Sequence, residues 1–428
     1  MSGMLQITEP VSADESIESF EYVEYTAAQS TNINASQAID IVAEGGDDYL
    51  CPWGSYLQVE GQLITAAGAA YAAGDRVTLI NNAVAYLFSQ IRYFIWDQEV
   101  ENVNFPGQVT TMKGLLSYSN DFAKGEGLGL CWTKDTSADT VLANNLGFAA
   151  RQSLVVAKPN PRGTFSFCVS LEHLFGFCQD YHKVIYGCKH RLNLARQADS
   201  DAIYRDGGVG AGRIALSKIS WFMPKVVPSL AYKNMLTSVI EKKESLDVAY
   251  RAMQCEQRAM PPATSDTWEV TTKTGTERPR WLLVGFQTGK AADQTQNPAI
   301  FDNVGLTNIY ATVNDKRYPD ADMTSNFTTY QTGRLYRAMT QFKAEFFDVP
   351  GKESTSSVTP IEFVELFPVH VIDLRRQPEK LKDVPLNIKI KTTFSAAVPA
   401  GTLGYAVLIS DRSFKLDSDG RRFKVVTS

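Results

Sequence analysis

LNIKIKTTF, residues 386–394, alternates between two kinds of side chain along its length. One face carries Leu386, Ile388, Ile390 and Thr392, and the other carries Asn387, Lys389 and Lys391. Successive side chains of a β-strand point to opposite faces of the sheet, so this period of two predicts a half-buried strand. We therefore expect sheets with one face in a core and the other in solvent.

Similar runs, rich in β-branched and aromatic residues and bounded by Gly, Pro, Asn or Asp, recur along the chain. They predict strands at residues 56–64, 153–157, 164–170, 213–222, 280–288, 308–313 and 405–410. Near the C-terminus, SFKLDSDGRRFKVV predicts a hairpin that turns at Asp419 and Gly420. Helical spacing is confined to residues 79–93 and 236–240. The expected fold class is all-β with short helical inserts.

The length of the chain and its punctuation divide it into parts. Its 428 residues exceed the size at which one hydrophobic core keeps growing. Residues 1–34 are polar and acidic, which predicts a flexible acidic arm. Pro224 and Pro228 punctuate the middle of the chain, so we place a domain boundary there. We expect a first sandwich at residues 35–228 and a second at 229–428, the second opening with a short linking helix.

An internal repeat supports two equivalent halves. IRYFIWDQEV, residues 91–100, can be laid over IYATVNDKRY, residues 309–318, at an offset of 218 residues. Further along, Gly114 corresponds to Gly333 at an offset of 219 residues. An offset close to half the chain predicts that the halves arose by duplication.

Composition is that of a globular protein, with 44% hydrophobic and 21% charged residues. No continuous apolar stretch of about 20 residues occurs, which predicts that no segment spans a membrane. The N-terminus has neither the basic nor the apolar region of a signal peptide. Six cysteines without a CxxC pair predict reduced thiols in an intracellular compartment.

Charge is distributed unevenly. The first 75 residues contain twelve acidic residues and no basic one, whereas the remainder contains 42 basic and 35 acidic residues. A segment that wraps nucleic acid should be rich in Lys and Arg, so we expect the acidic arm not to contact a genome. Two interpretations of the arm stay open: a solvated tail, and a segment that docks on a basic patch of a neighbouring subunit.

Residues suited to catalysis do not form a recognised motif. The four histidines are His173, His182, His190 and His370, and none lies next to a nucleophile elbow or an oxyanion loop. We interpret them as structural histidines. Cys168, Cys178 and Cys188 lie near three of these histidines in the sequence. Nine residues separate each cysteine from the next, whereas zinc-ligand pairs are usually separated by about two to four, which disfavours a zinc site.

Two glycine-rich stretches, KGEGLGL at residues 124–130 and DGGVGAGR at 206–213, lack the Lys and Ser or Thr that complete a phosphate loop. We interpret both as flexible loops. Basic and aromatic residues interleave in PRWLLVGFQ, residues 279–287, which fits either a nucleic-acid stacking surface or, as we favour, an amphipathic strand. The sequence thus predicts no catalytic, metal or cofactor-binding site, no enzyme activity, no cofactor and no direct sequence-specific binding of nucleic acid.

Five stretches together carry a family resemblance. They begin with SQAIDIVAEGGDDYLCPWGSYLQVEGQL, VTLINNAVAYLFSQIRYFIWDQEVENV, PRWLLVGFQTGK, IYATVNDKRYP and FPVHVIDLRRQPEK, at residues 36, 77, 279, 309 and 367. The last continues through LNIKIKTTF to residue 412. This set resembles double jelly-roll major capsid proteins of the adenovirus-type lineage, in particular those of Polinton-like and related eukaryotic DNA viruses and their copies integrated in animal genomes.

The resemblance implies two tandem eight-stranded jelly-roll sandwiches that stand side by side. It further implies a homotrimer that forms a pseudo-hexameric capsomer, tiles an icosahedral capsid and meets penton and minor capsid proteins. The protein would then be part of a virion assembled in the nucleus or cytoplasm of a host cell. A second hypothesis is a β-sandwich binding module that does not assemble, such as a carbohydrate-binding or domesticated host protein. A third, a cupin-like enzyme, lacks the expected His-x-His cluster.

Overall fold

The computed structural model describes residues 16–28, 31–35, 37–159, 161–272, 277–349, 356–377, 386–419 and 423–426. The strands before residue 229 are β1 (Ile17–Thr26), β2 (Ala38–Ala43), β3 (Tyr49–Leu50), β4 (Tyr56–Thr65), β5 (Val77–Leu79), β6 (Phe88–Ile95), β7 (Gln98–Asn104), β8 (Thr164–Ser170), β9 (Ile185–Tyr186), β10 (His190–Arg196), β11 (Ile203–Arg205) and β12 (Gly212–Pro228). Those after it are β13 (Ser245–Ala259), β14 (Ser265–Thr271), β15 (Arg278–Thr288), β16 (Leu306–Val313), β17 (Lys316–Tyr318), β18 (His370–Asp373), β19 (Asn387–Phe394), β20 (Thr402–Ser418) and β21 (Phe423–Val426).

Helices are short and connect the strands. They are α1 (Ala83–Tyr86), α2 (Pro106–Ser117), α3 (Asn120–Lys124), α4 (Glu126–Gly129), α5 (Leu146–Gln152), α6 (Leu171–Leu174), α7 (Gly176–Asp180), α8 (Leu230–Glu241), α9 (Gly333–Phe347) and α10 (Pro360–Glu365). No helix of the described ranges is long and apolar enough to cross a membrane.

The two halves share one strand order. In the first half, one sheet runs β1-β12-β4-β8 and the other runs β2-β10-β6-β7. In the second half, the corresponding sheets run β13-β20-β15-β18 and β14-β19-β16-β17. If the eight principal strands of each half are numbered along the chain, both halves read 1-8-3-6 and 2-7-4-5. Two facing antiparallel sheets in this order form a jelly roll, so the predicted pair of eight-stranded sandwiches is confirmed.

The stretch LNIKIKTTF forms β19 as its alternation predicts. Ile388, Ile390, Thr392 and Phe394 are buried, whereas the intervening side chains are exposed or half-buried. Its neighbours β14 and β16 pair with it on both sides, so it is an inner strand with one core-facing side. The buried residues of both halves join into one hydrophobic cluster.

The first strand corrects the prediction of a flexible arm. Residues 17–26 form β1, which pairs antiparallel with β12 and supplies strand 1 of the first sandwich. Its glutamates made the segment look disordered by composition, but Phe20 and Tyr22 alternate with them at the period of a strand. Charged side chains are common on edge strands because they discourage pairing with other chains. Residues 1–15 of the proposed arm lie outside the described residues.

Two further segments differ from expectation. Residues 153–157 form a π-helical turn and not a strand. Within residues 79–93, α1 covers only four residues, and β6 begins at Phe88. Short apolar runs fit both helical and strand spacing, and here pairing with β7 and β10 decides for the strand. The predicted C-terminal hairpin is confirmed by the pairing of β20 with β21, although Gly420 lies outside the described residues.

The internal repeat maps onto equivalent hairpins. Residues 91–100 fall in β6 and β7, and residues 309–318 fall in β16 and β17, which are strands 4 and 5 of their sandwiches. Each hairpin is followed by a helix, α2 in the first half and α9 in the second. The described strands pair only within their own half, and α8 lies between the halves. We propose on this basis that the domain boundary lies near Ser229 and that β1 belongs to the first domain.

Candidate assembly site: the junction and exposed faces of the two sandwiches

A β-bulge in β7 turns two neighbouring groups toward the second sandwich. The register between β6 and β7 shifts so that Tyr93 faces Glu101 and Phe94 faces Glu99, which leaves Val100 without a partner. The Val100 carbonyl accepts hydrogen bonds from the Tyr250 hydroxyl at 2.5 Å and from Arg412 Nη1 at 2.7 Å. The bulge thus presents a backbone acceptor of the first sandwich to donors of the second.

The Glu101 carboxylate ties three chain segments together. It is fully buried and accepts backbone N–H groups from Gly176 at 3.2 Å and Phe177 at 2.9 Å, both in α7, and from Met253 of β13 at 2.9 Å. Burial raises the pKa of Glu101 to about 7, although these three hydrogen bonds lower it in part. The carboxylate is therefore a junction between the sandwiches that titrates close to neutral pH.

Arginines of the second sandwich complete the junction. Arg251 holds both carboxylate oxygens of Asp180, at 2.5 and 2.8 Å, and its guanidinium lies 3.8 Å from the centre of the Phe346 ring. Arg412 pairs with the buried Glu277 while it donates to the first sandwich. Such planar, bidentate pairs fix geometry more strictly than a point charge does.

A second polar link lies further along the same junction. Asp135 and Arg151 form a buried ion pair at 2.7 Å, and Asn297 of the second half donates to the free oxygen of Asp135 at 3.0 Å. Lys134 forms an ion pair with Glu362 of α10. Removing one partner of a buried pair leaves an uncompensated charge, so these contacts make the relative placement of the sandwiches specific.

The edge strand β1 carries exposed aromatic side chains. Phe20 and Tyr22 are both about half exposed and meet edge to face at 5.5 Å between ring centres. The row continues through Tyr22 and Tyr56 at 5.4 Å to the stacked pair Tyr56 and Phe222 at 4.9 Å. We call Phe20, Tyr22, Tyr56 and Phe222 the aromatic face. Aromatic residues are enriched in protein interfaces, so this face is a candidate contact between subunits.

The opposite edge of the same sheet is apolar as well. Strand β8 forms that edge, and Leu128, Leu154, Phe165 and Phe167 line a groove beside it together with Lys158. Further exposed apolar residues follow in the insertion between β7 and β8, namely Val141, Leu142 and Leu146. The first sandwich therefore carries exposed apolar surface at both edges of one sheet.

The histidines lie in separate, mostly apolar places. The Tyr93 hydroxyl contacts His190 Nδ1 at 2.8 Å, and the Tyr118 hydroxyl contacts His173 Nδ1 at 2.6 Å. His370 is fully buried among Phe286, Phe327 and Phe363, and neither ring nitrogen has a hydrogen-bond partner. Burial lowers the pKa of His173, His190 and His370 to about 3 in each case. His182 is exposed and stacks near Trp53.

Neither the cysteines nor the glycine-rich stretches form a binding site in the described part of the chain. Each cysteine is a free thiol, and Cys168 is the exposed one. No group of three or more His, Cys, Asp or Glu side chains in the described ranges is placed to hold a metal ion. Residues 126–129 of the first glycine-rich stretch form α4 and not a loop, which corrects that prediction. Trp281 in PRWLLVGFQ is buried in the inner strand β15, so it offers no stacking surface.

A family model described as the double jelly roll-like domain matches residues 77–414. This chain belongs to the double jelly roll-like family. Sequence reasoning identified the family from its strand phrases. It missed β1, whose alternation of Phe20 and Tyr22 was the available signal, and it missed the Glu101 junction, whose partners are remote in sequence.

Solved structures of double jelly-roll proteins resemble the chain over nearly its whole length. A chain of the Sputnik virophage aligns with a TM-score of 0.61 and 11% identity, covering 98% of this chain and 90% of that one. The mavirus major capsid protein aligns with a TM-score of 0.55 and 11% identity, covering 99% and 94%. The Faustovirus major capsid protein gives 0.55 and 8%, covering 96% and 93%. At such low identities the likeness is one of fold. No curated protein matches the chain.

Proposed function

We propose that this chain is a major capsid protein whose copies trimerise into pseudo-hexameric capsomers that tile an icosahedral shell. The observation that carries the proposal is the match of 99% of the chain to 94% of the mavirus major capsid protein. The agreement covers both sandwiches and the linking region and is not confined to one shared domain. A β-sandwich used as an isolated binding module would not require the second copy.

The duplicated strand order supports a pseudo-hexagonal unit. Three chains with two similar sandwiches each contribute six similar blocks, so a threefold ring approximates a hexagon and can tile a shell. This requires that the two sandwiches keep a fixed relation within each chain. The buried contacts of Glu101, Arg251 and Asp135 provide that relation.

Exposed apolar surface at both edges of one sheet supports ring formation. A cyclic trimer uses a head-to-tail contact, in which each subunit offers two different surfaces. The aromatic face and the groove beside β8 are two such surfaces on the first sandwich. Obligate interfaces bury more than about 2,000 Å² and are hydrophobic at their centres, which suits these faces.

Further partners follow from the same role. A shell of such capsomers would meet penton and minor capsid proteins at its vertices and edges, and the chain would be found in virions assembled in the host nucleus or cytoplasm. The role is structural, and we assign no enzyme activity and no cofactor to it. Its acidic N-terminal third argues against condensation of nucleic acid by this region.

Sedimentation of a surface variant tests the proposal. Tyr22→Asp places a charge in the aromatic face, and Ser19→Asp places the same charge on the neighbouring face of β1, where Ser19 is also exposed. We expect wild type and Ser19→Asp to sediment as trimers and larger assemblies, and Tyr22→Asp to shift toward monomers. A wild-type protein that stays monomeric at every concentration and salt condition would contradict the capsid role.

A further inference from the structure

Helix α8 exposes an unusual amount of apolar surface. Leu230 is 73% exposed, Met235 is 52% exposed and Tyr232 is 45% exposed, whereas Ile240 at the far end is buried. Tyr232 and Met235 are three residues apart and therefore lie on one face of the helix, in line with the half-buried Leu236 and Val239. Most helices of this kind turn such a stripe toward a core. The stripe of α8 thus lacks a cover over its first two turns.

The stripe leads into an apolar crevice. Leu236 and Val239 form one wall, and the crevice encloses about 60 Å³ between α8 and both sandwiches. Its other lining residues include Tyr49, Val184 and Tyr186 of the first half and Leu246 of the second. A ligand of the stripe would therefore continue into a preformed apolar space.

The N-terminal segment is attached beside this helix. The backbone N–H of Ser229, the residue before α8, donates to the Ser16 carbonyl at 2.9 Å. Residues 1–15 therefore start from the same point as the helix. An extended chain covers up to about 3.3 Å per residue, so Ile7 can reach about 30 Å from Ser16. The twelve residues of α8 span only about 18 Å, so the segment can reach its whole length.

The segment has the chemistry that the helix lacks. Met4, Leu5 and Ile7 form an apolar cluster within four residues. Glu9, Asp14 and Glu15 give the segment a negative charge without any basic residue to offset it. Lysines flank the stripe, and the ion pairs of the described residues do not include them: Lys233, Lys242 and Lys243. Apolar and charged groups of the segment and the helix are thus complementary.

We propose that residues 1–15 fold back along α8 of the same chain, with Met4, Leu5 and Ile7 on the Tyr232 and Met235 stripe. The acidic residues then lie beside the lysines of the helix. This docking needs no second subunit, so it stands independently of the capsid role. It assigns the acidic segment an occupied surface in place of a solvated tail.

Hydrogen exchange tests the docking directly. In the full-length chain we expect the backbone amides of α8 to exchange about tenfold more slowly than in a variant that lacks residues 2–15, because the docked segment opposes local opening. Strand β1 begins after the deletion and stays in both proteins. Equal exchange of α8 in the two proteins would overturn the proposal. Protection that appears only as protein concentration rises would also overturn it, because it would place the segment on a neighbouring copy.

A pair of matched variants separates docking from a general loss of stability. Tyr232→Asp with Met235→Asp charges the stripe, and Asn234→Asp with Thr237→Asp puts the same charges at other exposed positions of α8. Cleavage after Glu9 by a glutamate-specific protease should accelerate at least several-fold in the stripe variant and stay at the wild-type rate in the control. Equal cleavage rates in all three proteins would contradict the docking.

Discussion

Gly176 is the residue on which the close contact of the two sandwiches depends most directly. A Cβ atom at this position would lie 1.7 Å from the Arg251 carbonyl oxygen, which belongs to the backbone and cannot rotate away. We expect Gly176→Ala to lower the free energy of unfolding by about 3 kcal/mol or more, at the upper end of overpacking effects. Gly129→Ala is the control because a Cβ there meets no atom within 4 Å. Thermal unfolding of both variants measures the difference.

Glu101 makes the junction sensitive to pH. Burial raises its folded-state pKa from 4.5 to about 7, so the stability it contributes is present below pH 4.5 and is lost as pH rises through 7. Wild type should therefore lose about 2 kcal/mol more than Glu101→Gln between pH 5 and pH 7.5. The nearby Lys113, Asp180, Arg251 and Arg412 are the same in both proteins. Parallel stability curves for the two proteins over this range would contradict the assignment.

His370 gives the opposite dependence. Burial lowers its pKa from 6.5 to about 3, so its contribution to stability is present above pH 6.5 and is lost as pH falls toward 3. Between pH 8 and pH 5 we expect His370→Phe to lose about 2 kcal/mol less than wild type. Chemical denaturation at the two pH values measures this, with His182→Phe at an exposed site as the control. A pH dependence unchanged from wild type would rule out the effect.

Residue patterns predict side-chain roles only where the partners are local. The histidines are interpretable as structural from the lack of a motif, and two of them do contact a tyrosine. Glu101 gives no such signal, because Gly176 and Met253 lie 75 and 152 positions away in the chain. Its function depends on a one-residue bulge at Val100, which the sequence of β7 does not mark.

Strand β1 is the element whose role differs most from its composition. It covers the end of β12, where Tyr25 lies 6.3 Å from Trp221 between ring centres. Deletion of residues 1–27 should leave residues 220–228 of β12 unpaired on one side, so their amides should exchange faster and the melting temperature should fall. Deletion of residues 1–15 should leave both unchanged. Equal effects of the two deletions would show that β1 does not hold this edge.

Element type follows from the sequence where burial on one face imposes a period of two. Strands β4, β8, β16 and β19 obey this rule and are predictable. Residues 153–157 have the β-branched composition of a strand, but they continue α5 as a π-helical turn. Propensity decides little in so short a run, because tertiary contacts override it.

At the scale of the molecule, duplication explains both the internal repeat and the repeated strand order. The hairpins β6–β7 and β16–β17 occupy strands 4 and 5 of their sandwiches, as an offset near half the chain requires. The sequence could therefore predict two similar sandwiches. It could not predict how they are joined, because the joining groups come from a bulge, a helix end and remote arginines.

Electron microscopy of the purified protein tests the central claim, a coat protein built to tile, most directly. We expect particles three times the 47.3 kDa mass of one chain, with a hexagonal outline made of six blocks. Packed arrays or shells of these particles should appear as protein concentration rises. Single particles of 47.3 kDa under every salt and concentration condition, with no trimers, would contradict the account.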